Sequence, residues 1–342
     1  MASIGGRGQL ARATRRELGA MFRYSVDPMA PGGSCSDYGQ ETLDAMFDDA
    51  YQLAGTAIQA TLDHEDATAA TTNEATHRMH GVMNWMESGG RTNNGLNKRR
   101  PYLFCGDTWR VRETMSSQMK DAEGNPMVKE NGEPYLIQDS KAMKTRRKEV
   151  AEQLKKSTKH IYPYWSQATL TYTFAVKYDE DPTLGPCKTE AGAIGYTITE
   201  KSFGAIILCH TAFNGRRLRS VAASAFASSF FETGQPPSDK GKVQEISEVV
   251  PAGRVAYHEL LHLYWGSVMN EGGNEEYSFQ RMAGNKLRKN GKMYTKSLAM
   301  ENPETYALAA VAYDYTLHVT HTTKPGKTYP VEFYTGFCTY EE

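Results

Sequence analysis

The sequence contains no apolar run approaching the ~20 residues that a bilayer-crossing helix needs, so no membrane span is expected. It has almost no net charge, −1 at pH 7. No global basic field points to nucleic acid, and no acidic excess points to disorder. Cysteine is scarce: Cys35, Cys105, Cys187, Cys209 and Cys338 are widely spread and form no CxxC pair. That argues against a cysteine zinc site and leaves disulfides open, with at least one thiol unpaired within the chain. No N-x-[ST] sequon occurs. The arginine-containing start, "MASIGGRGQLARATRRELGAMF", has no apolar core of the kind a signal peptide carries. The expectation is a cytoplasmic protein, or an exported one whose leader has been trimmed.

What is present suits a globular protein. The 342 residues are 39% hydrophobic, with 20 Tyr and 12 Phe, enough to bury a sizeable core. Residues 1–34, rich in Gly, Arg and Ser, read as a loose N-terminal segment. Residues 35–342 read as a single domain, with a helical and hairpin part over about 35–160 and a second part over about 161–342; no internal repeat or interdomain linker is evident. Leu43, Met46, Phe47, Tyr51, Leu53, Ala54 and Ile58 recur at helical spacing and predict an amphipathic helix. "HRMHGVMNWMES" predicts a second helix, and "SKAMKTRRKEVAEQLKKSTKH" a basic one that reads as a solvated face rather than a polyanion site. "PYLFCGDTWRV", "YWSQATLTYTFAVKY" and "GAIGYTITEKSFGAIILC" are β-branched and aromatic and predict strands. "DAEGNPMVKENGEPYLI" carries hairpin turn signals, while "RRLRSVAASAFASSFF" is ambiguous. "NPETYALAAVAYDYTLHV" predicts a late apolar helix with Asn302 as cap and Pro303 in its first turn.

The stretch "GRVAYHELLHLYWG", Gly253 to Gly266, carries the chemistry. On a helix, His258 and His262 stand one turn apart on the same face, with Glu259 beside them. This H-E-x-x-H spacing lets two imidazoles hold zinc while the Glu acts as general base toward a water. Val255, Ala256, Leu260, Leu261, Leu263 and Tyr264 make the helix an apolar one, stopped at Gly266. Buried imidazoles and a carboxylate cost a few kcal/mol each without partners, and a metal would satisfy both His at once. A catalytic zinc also wants a third protein ligand and one open position. Gly272 and Gly273 permit a sharp reversal, after which Glu275 and Glu276 could return beneath the helix. Glu271 just before the bend, and Glu301 and Glu304 on the later helix, are further candidates.

"HELLH", then "GNEEYSF", then "NPETYALAAVAYDY" resembles the deuterolysin and lysine-specific fungal metalloendopeptidases, the aspzincins. There the His pair is followed by a glycine turn reading G-T-x-D-x-x-Y-G and a helix opening in an N-A-D-x-Y-like run. "AIILCHTAF" is similar to the strand and loop bordering the family's cleft, and the likeness covers roughly residues 205–315. The resemblance implies an α+β, zincin-like fold: a twisted mixed sheet over the HExxH helix with an N-terminal helical extension. It implies zinc, a peptide or protein substrate, secretion, and endopeptidase activity. Position by position it places zinc on His258 and His262 and the general base at Glu259. Setting Gly273 on the family glycine puts the third ligand at Glu276, with Glu275 the second choice. Phe279 then stands where the family has the tyrosine that assists at the transition state, and Tyr277 or Tyr306 would have to substitute. The alternative reading is a zincin-fold protein without peptidase activity.

Other groups read blandly. His77 and His80, and His318 and His321, are expected at the surface; Cys105 is expected in a disulfide or the core. "KLRKNGKMYTK" reads as a solvated loop.

Overall fold

The computed structural model describes residues 15–63, 70–90, 100–152, 161–176, 185–189, 193–199, 203–213, 246, 250–266, 269, 275–282, 296–322 and 326–333. Along the chain run helices α1 (Gly39–Asp63) and α2 (Ala70–Glu87), strands β1 (Tyr102–Cys105) and β2 (Val111–Arg112), helix α3 (Lys141–Glu152), strands β3 (Ile161–Ser166), β4 (Thr171–Val176), β5 (Gly195–Thr199) and β6 (Gly204–Leu208), helices α4 (Gly253–Trp265) and α5 (Pro303–His318), and the hairpin β7 (Thr320–Thr322) and β8 (Thr328–Pro330). This is an α+β architecture. Among the described residues no helix is long and apolar enough to cross a membrane. "RRLRSVAASAFASSFF" and most of "KLRKNGKMYTK" lie outside the described residues.

The sheet nearest the HELLH helix is mixed, in the order β1-β6-β5. β1 runs parallel to β6, with Leu103 opposite Ile206; β5 runs antiparallel to β6, with Thr197 opposite Ile206. β6 is buried along its whole length. Its side chains alternate, as a strand's must. Ile206 and Leu208 join the large core under the helices, while Ala205 and Ile207 join Phe104, Trp109 and Phe203 on the opposite face. The larger core draws on α1, α2, α4 and α5 as well as β1 and β6. α1 lays Leu43, Met46, Phe47, Ala50, Leu53, Ala54, Ala57 and Ile58 into it, the spacing of one helical face. Burying a side chain such as Leu43 or Phe47 contributes roughly 1.5–3 kcal/mol.

Four expectations need correcting. The strand expected over "PYLFCGDTWRV" is broken: Gly106 takes φ 79, residues 107–109 form a tight turn, and β2 leaves for a second sheet, the antiparallel β2-β3-β4. "YWSQATLTYTFAVKY" and "GAIGYTITEKSFGAIILC" are no single strands either: β3 and β4 form a hairpin closed by Ser166 and Thr171, with Leu170 at φ 53 in the turn, and β5 and β6 likewise pair antiparallel. Residues 15–34 are not loose. Leu18, Met21 and Phe22 are buried, and Arg23 bridges to Tyr102 beside β1, because "LGAMF" supplies an apolar face that the Gly and Arg content masked.

The hairpin material after β2 closes on itself. Met127 N–H donates to Met119 O (2.7 Å), Tyr135 N–H to Met127 O (3.0 Å) and Met119 N–H to Tyr135 O (2.8 Å). Three short segments eight residues apart thus share one ring of backbone bonds. Gly124-Asn125-Pro126 and Gly132-Glu133-Pro134 make the two reversals, each glycine at positive φ. Met119, Met127 and Tyr135 line an open cavity of about 650 Å³ between this ring, α3 and β4.

Two disulfides staple the mixed sheet: Cys35–Cys105 at the end of β1 and Cys187–Cys209 just past β6. Cys338 lies outside the described residues.

α4 sits between α1, α2 and α5 on one side and β5 and β6 on the other. Its first residue comes so close to α1 that a Cβ on Gly253 would fall 2.2 Å from Asp49 Cβ and 2.8 Å from the backbone nitrogen of Ala50. Backbone cannot swing aside as a side-chain tip can. Gly253→Ala should therefore cost about 3 kcal/mol, the upper end of the usual overpacking range, read as a lower urea midpoint at unchanged slope.

Candidate metal centre

α4 forms because Val255, Ala256, Leu260 and Leu261 give it a buried face, and it ends where Gly266 adopts φ 58 and donates its N–H to His262 O. Within it His258 and His262 stand one turn apart, edge to face, with ring centroids 5.0 Å from each other. Both turn Nε2 toward a carboxylate arriving from beyond the diglycine. His262 Nε2 lies 2.7 Å from Glu275 Oε1, and His258 Nε2 lies 3.4 Å from Glu275 Oε2. One ligand atom from each of these residues falls within 4.8 Å of the others, and this is the cluster of metal-ligating side chains found among the described residues. A tetrahedral ion with bonds of about 2.0–2.1 Å needs ligand–ligand edges near ~3.3 Å. The His258 Nε2–Oε2 contact has that length, while His262 Nε2 meets the other carboxylate oxygen, Oε1, about half an ångström closer than an ion shared through that oxygen would allow. Two neutral imidazoles with one carboxylate is also a donor set that zinc accepts. The residues fit a divalent cation.

Electrostatics agree with that reading. Burial would lower the His262 pKa, but the hydrogen bond to Glu275 and the charges of Glu259 and Glu275 outweigh it and hold the imidazole above its ordinary value. Burial would likewise raise Glu275, yet the hydrogen bonds and charge of His258 and His262 pull its carboxyl far below the usual range. His262 and Glu275 thus favour a positive charge between them, the place where a metal displaces a proton.

The expected third ligand, Glu276, is not in this cluster; the second choice, Glu275, takes the position. Residues 275–278 lie outside any helix, and the two neighbouring carboxylates point to different partners. Glu275 faces the imidazoles, while the buried Glu276 side chain accepts through Oε1 from the backbone N–H of Ser278 (3.1 Å). Counting the pattern G-T-x-D from Gly272 instead of Gly273 lands on Glu275. The diglycine offered two registers, and composition could not choose between them.

Glu259 is buried to 4% exposure, and Thr197 on β5 donates its hydroxyl to Oε2 at 2.7 Å. Gly195, on the same strand, leaves room for the carboxylate, since a Cβ there would sit 3.1 Å from Oε1. Tyr277 is mostly exposed (59%), yet its hydroxyl donates to Glu275 and its ring stacks on His258 with centroids 6.0 Å apart. Desolvation of that hydroxyl and the charge of Glu275 push the phenol above its ordinary pKa.

Glu304 is close but is not in the ligand cluster. Buried to 1% exposure, its Oε2 stands 3.1 Å from His258 Nδ1, the nitrogen facing away from Glu275, and Oε1 pairs with Arg254. Tyr306 donates to Met300 O (2.8 Å), and Phe279 packs against the core without a hydroxyl to offer. Glu271 lies outside the described residues, and Glu301 is not in the cluster. His77 and His80 are exposed, and His318 bonds Asp314, so these stay outside the site as expected; the side chain of His321 is not described.

Two contributors went unread in the sequence. Arg254 carried a usable signal: it stands four residues before His258, on the same helical face as both imidazoles. Thr197 had none, because it belongs to a strand sixty-two residues before Glu259.

No family model matches this sequence, and no curated protein or solved structure matches it.

Proposed function

We propose that the chain is a zinc-dependent endopeptidase-like hydrolase of zincin type, as its resemblance to the deuterolysins suggests. One observation carries the reading: His258, His262 and Glu275 converge while Glu259, the next residue on the same helix, is held by Thr197 beside them. Support for the fold comes from α4 lying along β5, the antiparallel edge of a mixed sheet. Zinc held by the three ligands would supply Lewis acidity, polarising a scissile carbonyl and bringing a water's pKa near ~7. Glu259 takes the proton of the attacking water and passes it to the leaving amine. Thr197 orients that carboxylate. The Tyr277 hydroxyl, which donates to Glu275 beside His258, would be the chain's own donor for the developing oxyanion.

The two disulfides belong to an oxidising compartment, in line with secretion.

A second reading keeps the metal without peptidase activity. It is favoured by Phe279, which leaves the tyrosine position without a hydroxyl, and by Tyr277, whose hydroxyl is committed to Glu275.

Metal analysis and inhibition separate the two. Purified protein should carry about one zinc per chain. A chelator such as 1,10-phenanthroline should stop cleavage of a casein substrate, and added zinc should restore it. Cleavage that ignores the chelator refutes the hydrolase reading, and bound zinc with no cleavage of any peptide library selects the second.

A further inference from the structure

We propose that the first turn of α5, Asn302-Pro303-Glu304, is the positioning device of the metal centre, resting on the metal-binding reading above. Glu304 orients His258, and Asn302 fixes the segment that carries Glu275. An imidazole binds a metal through one nitrogen only, and the hydrogen bond at the other selects which. With His258 Nδ1 donating to Glu304 Oε2 at 3.1 Å, the lone pair stands on Nε2, on the side of Glu275. Glu304 can stay charged in the core because Arg254, one turn ahead of His258 on α4, pairs with its second oxygen. A buried ion pair contributes little to stability as such. Here it holds the carboxylate where the imidazole needs it.

Asn302 works on the chain segment that carries the third ligand. Its Oδ1 accepts from Glu304 N–H (3.2 Å) and so caps α5, while its Nδ2 donates to the backbone oxygen of Glu276 (2.8 Å). That oxygen belongs to the residue next to the third ligand. Both contacts are buried. Pro303 sits between the two working residues with its φ locked by the ring, so Asn302 and Glu304 keep a constant separation. One rigid tripeptide therefore sets two of the three ligands, from a position forty residues beyond His262. Neither Asn302 nor Glu304 need touch substrate; both act through the residues they hold.

The test measures metal, not turnover. Zinc dissociation constants are obtained by competition with a chromophoric chelator, and the visible spectrum of the cobalt-substituted protein reports ligand geometry. Glu304→Ala should weaken zinc by about 10–100-fold and shift the cobalt bands, and Glu304→Gln, which keeps an acceptor for Nδ1–H, should recover part of the loss. Asn302→Ser keeps a good helix cap but cannot reach Glu276. It should weaken zinc by ~10-fold while the metal-free protein stays folded, its melting lowered only by the one buried hydrogen bond lost at Glu276 O. If Glu304→Ala fails to fold with Arg254 left unpaired, the double variant Arg254→Met/Glu304→Ala removes both charges and carries the same expectation. Folded variants with parental affinity and parental cobalt bands overturn the positioning role alone. A parent protein that binds neither zinc nor cobalt takes the metal reading down with it.

Discussion

Replacing Glu275 with alanine should empty the site of zinc, while the same change at Glu276 should leave it filled. Glu275 is the only anion among the three converging side chains, and its two oxygens face His262 and His258 separately. Protein zinc sites release roughly 10–16 kcal/mol over four ligands, so one lost ligand is worth about 3–4 kcal/mol, a few hundred-fold in affinity. Glu276 spends its carboxylate on the Ser278 N–H, and its loss should cost about 1 kcal/mol of stability and no metal. Zinc content of the two variants after dialysis reads the difference directly. The opposite pattern, metal lost with Glu276 and kept without Glu275, would falsify the ligand assignment.

The second large effect concerns proton transfer. Glu259→Gln should retain zinc and lower kcat on a casein-type or fluorogenic peptide substrate by about 10²–10⁴-fold, the usual worth of a general base. The fold should be indifferent to the change. An amide oxygen accepts the Thr197 hydroxyl as the carboxylate does at 2.7 Å, and glutamine fills the same space beside Gly195. What disappears is only the capacity to take a proton. A variant as active as the parent would exclude this mechanism, and parallel zinc analysis ensures that a lost metal is not mistaken for a lost base.

Helices were legible where periodicity was long and one-sided. α1 and α5 follow the buried spacing of Leu43 to Ile58 and the Asn302-Pro303 start, and α4 ends at Gly266. Strands were legible as composition but not as partners. "PYLFCGDTWRV" contains residues suited to pairing throughout, and only the positive φ of Gly106 reveals that it serves two sheets. The candidate site divides in the same way. His258, Glu259 and His262 share one helix, so local spacing alone places them together. Glu275 and Glu276 follow the same pair of glycines in the sequence, so spacing permits either to face the imidazoles, and the choice depends on what each carboxylate meets after folding. Thr197 reaches Glu259 from the edge of a sheet, a contact that no local rule contains. Glu304 was visible as a carboxylate near the right helix, yet its role depends on which imidazole nitrogen it faces, and that is a property of the packing of α5 on α4.

His262 and Glu275 stand thirteen positions apart, on either side of the helix stop at Gly266. A cation gripped by both would act as a clasp, closing that span of chain much as a cystine closes a loop and removing the same kind of freedom from the unfolded polymer. Loading and maturation of this face then become one event. The newly made chain would carry an open buckle beside α4, and the ion it takes up would also be the last stitch in its assembly.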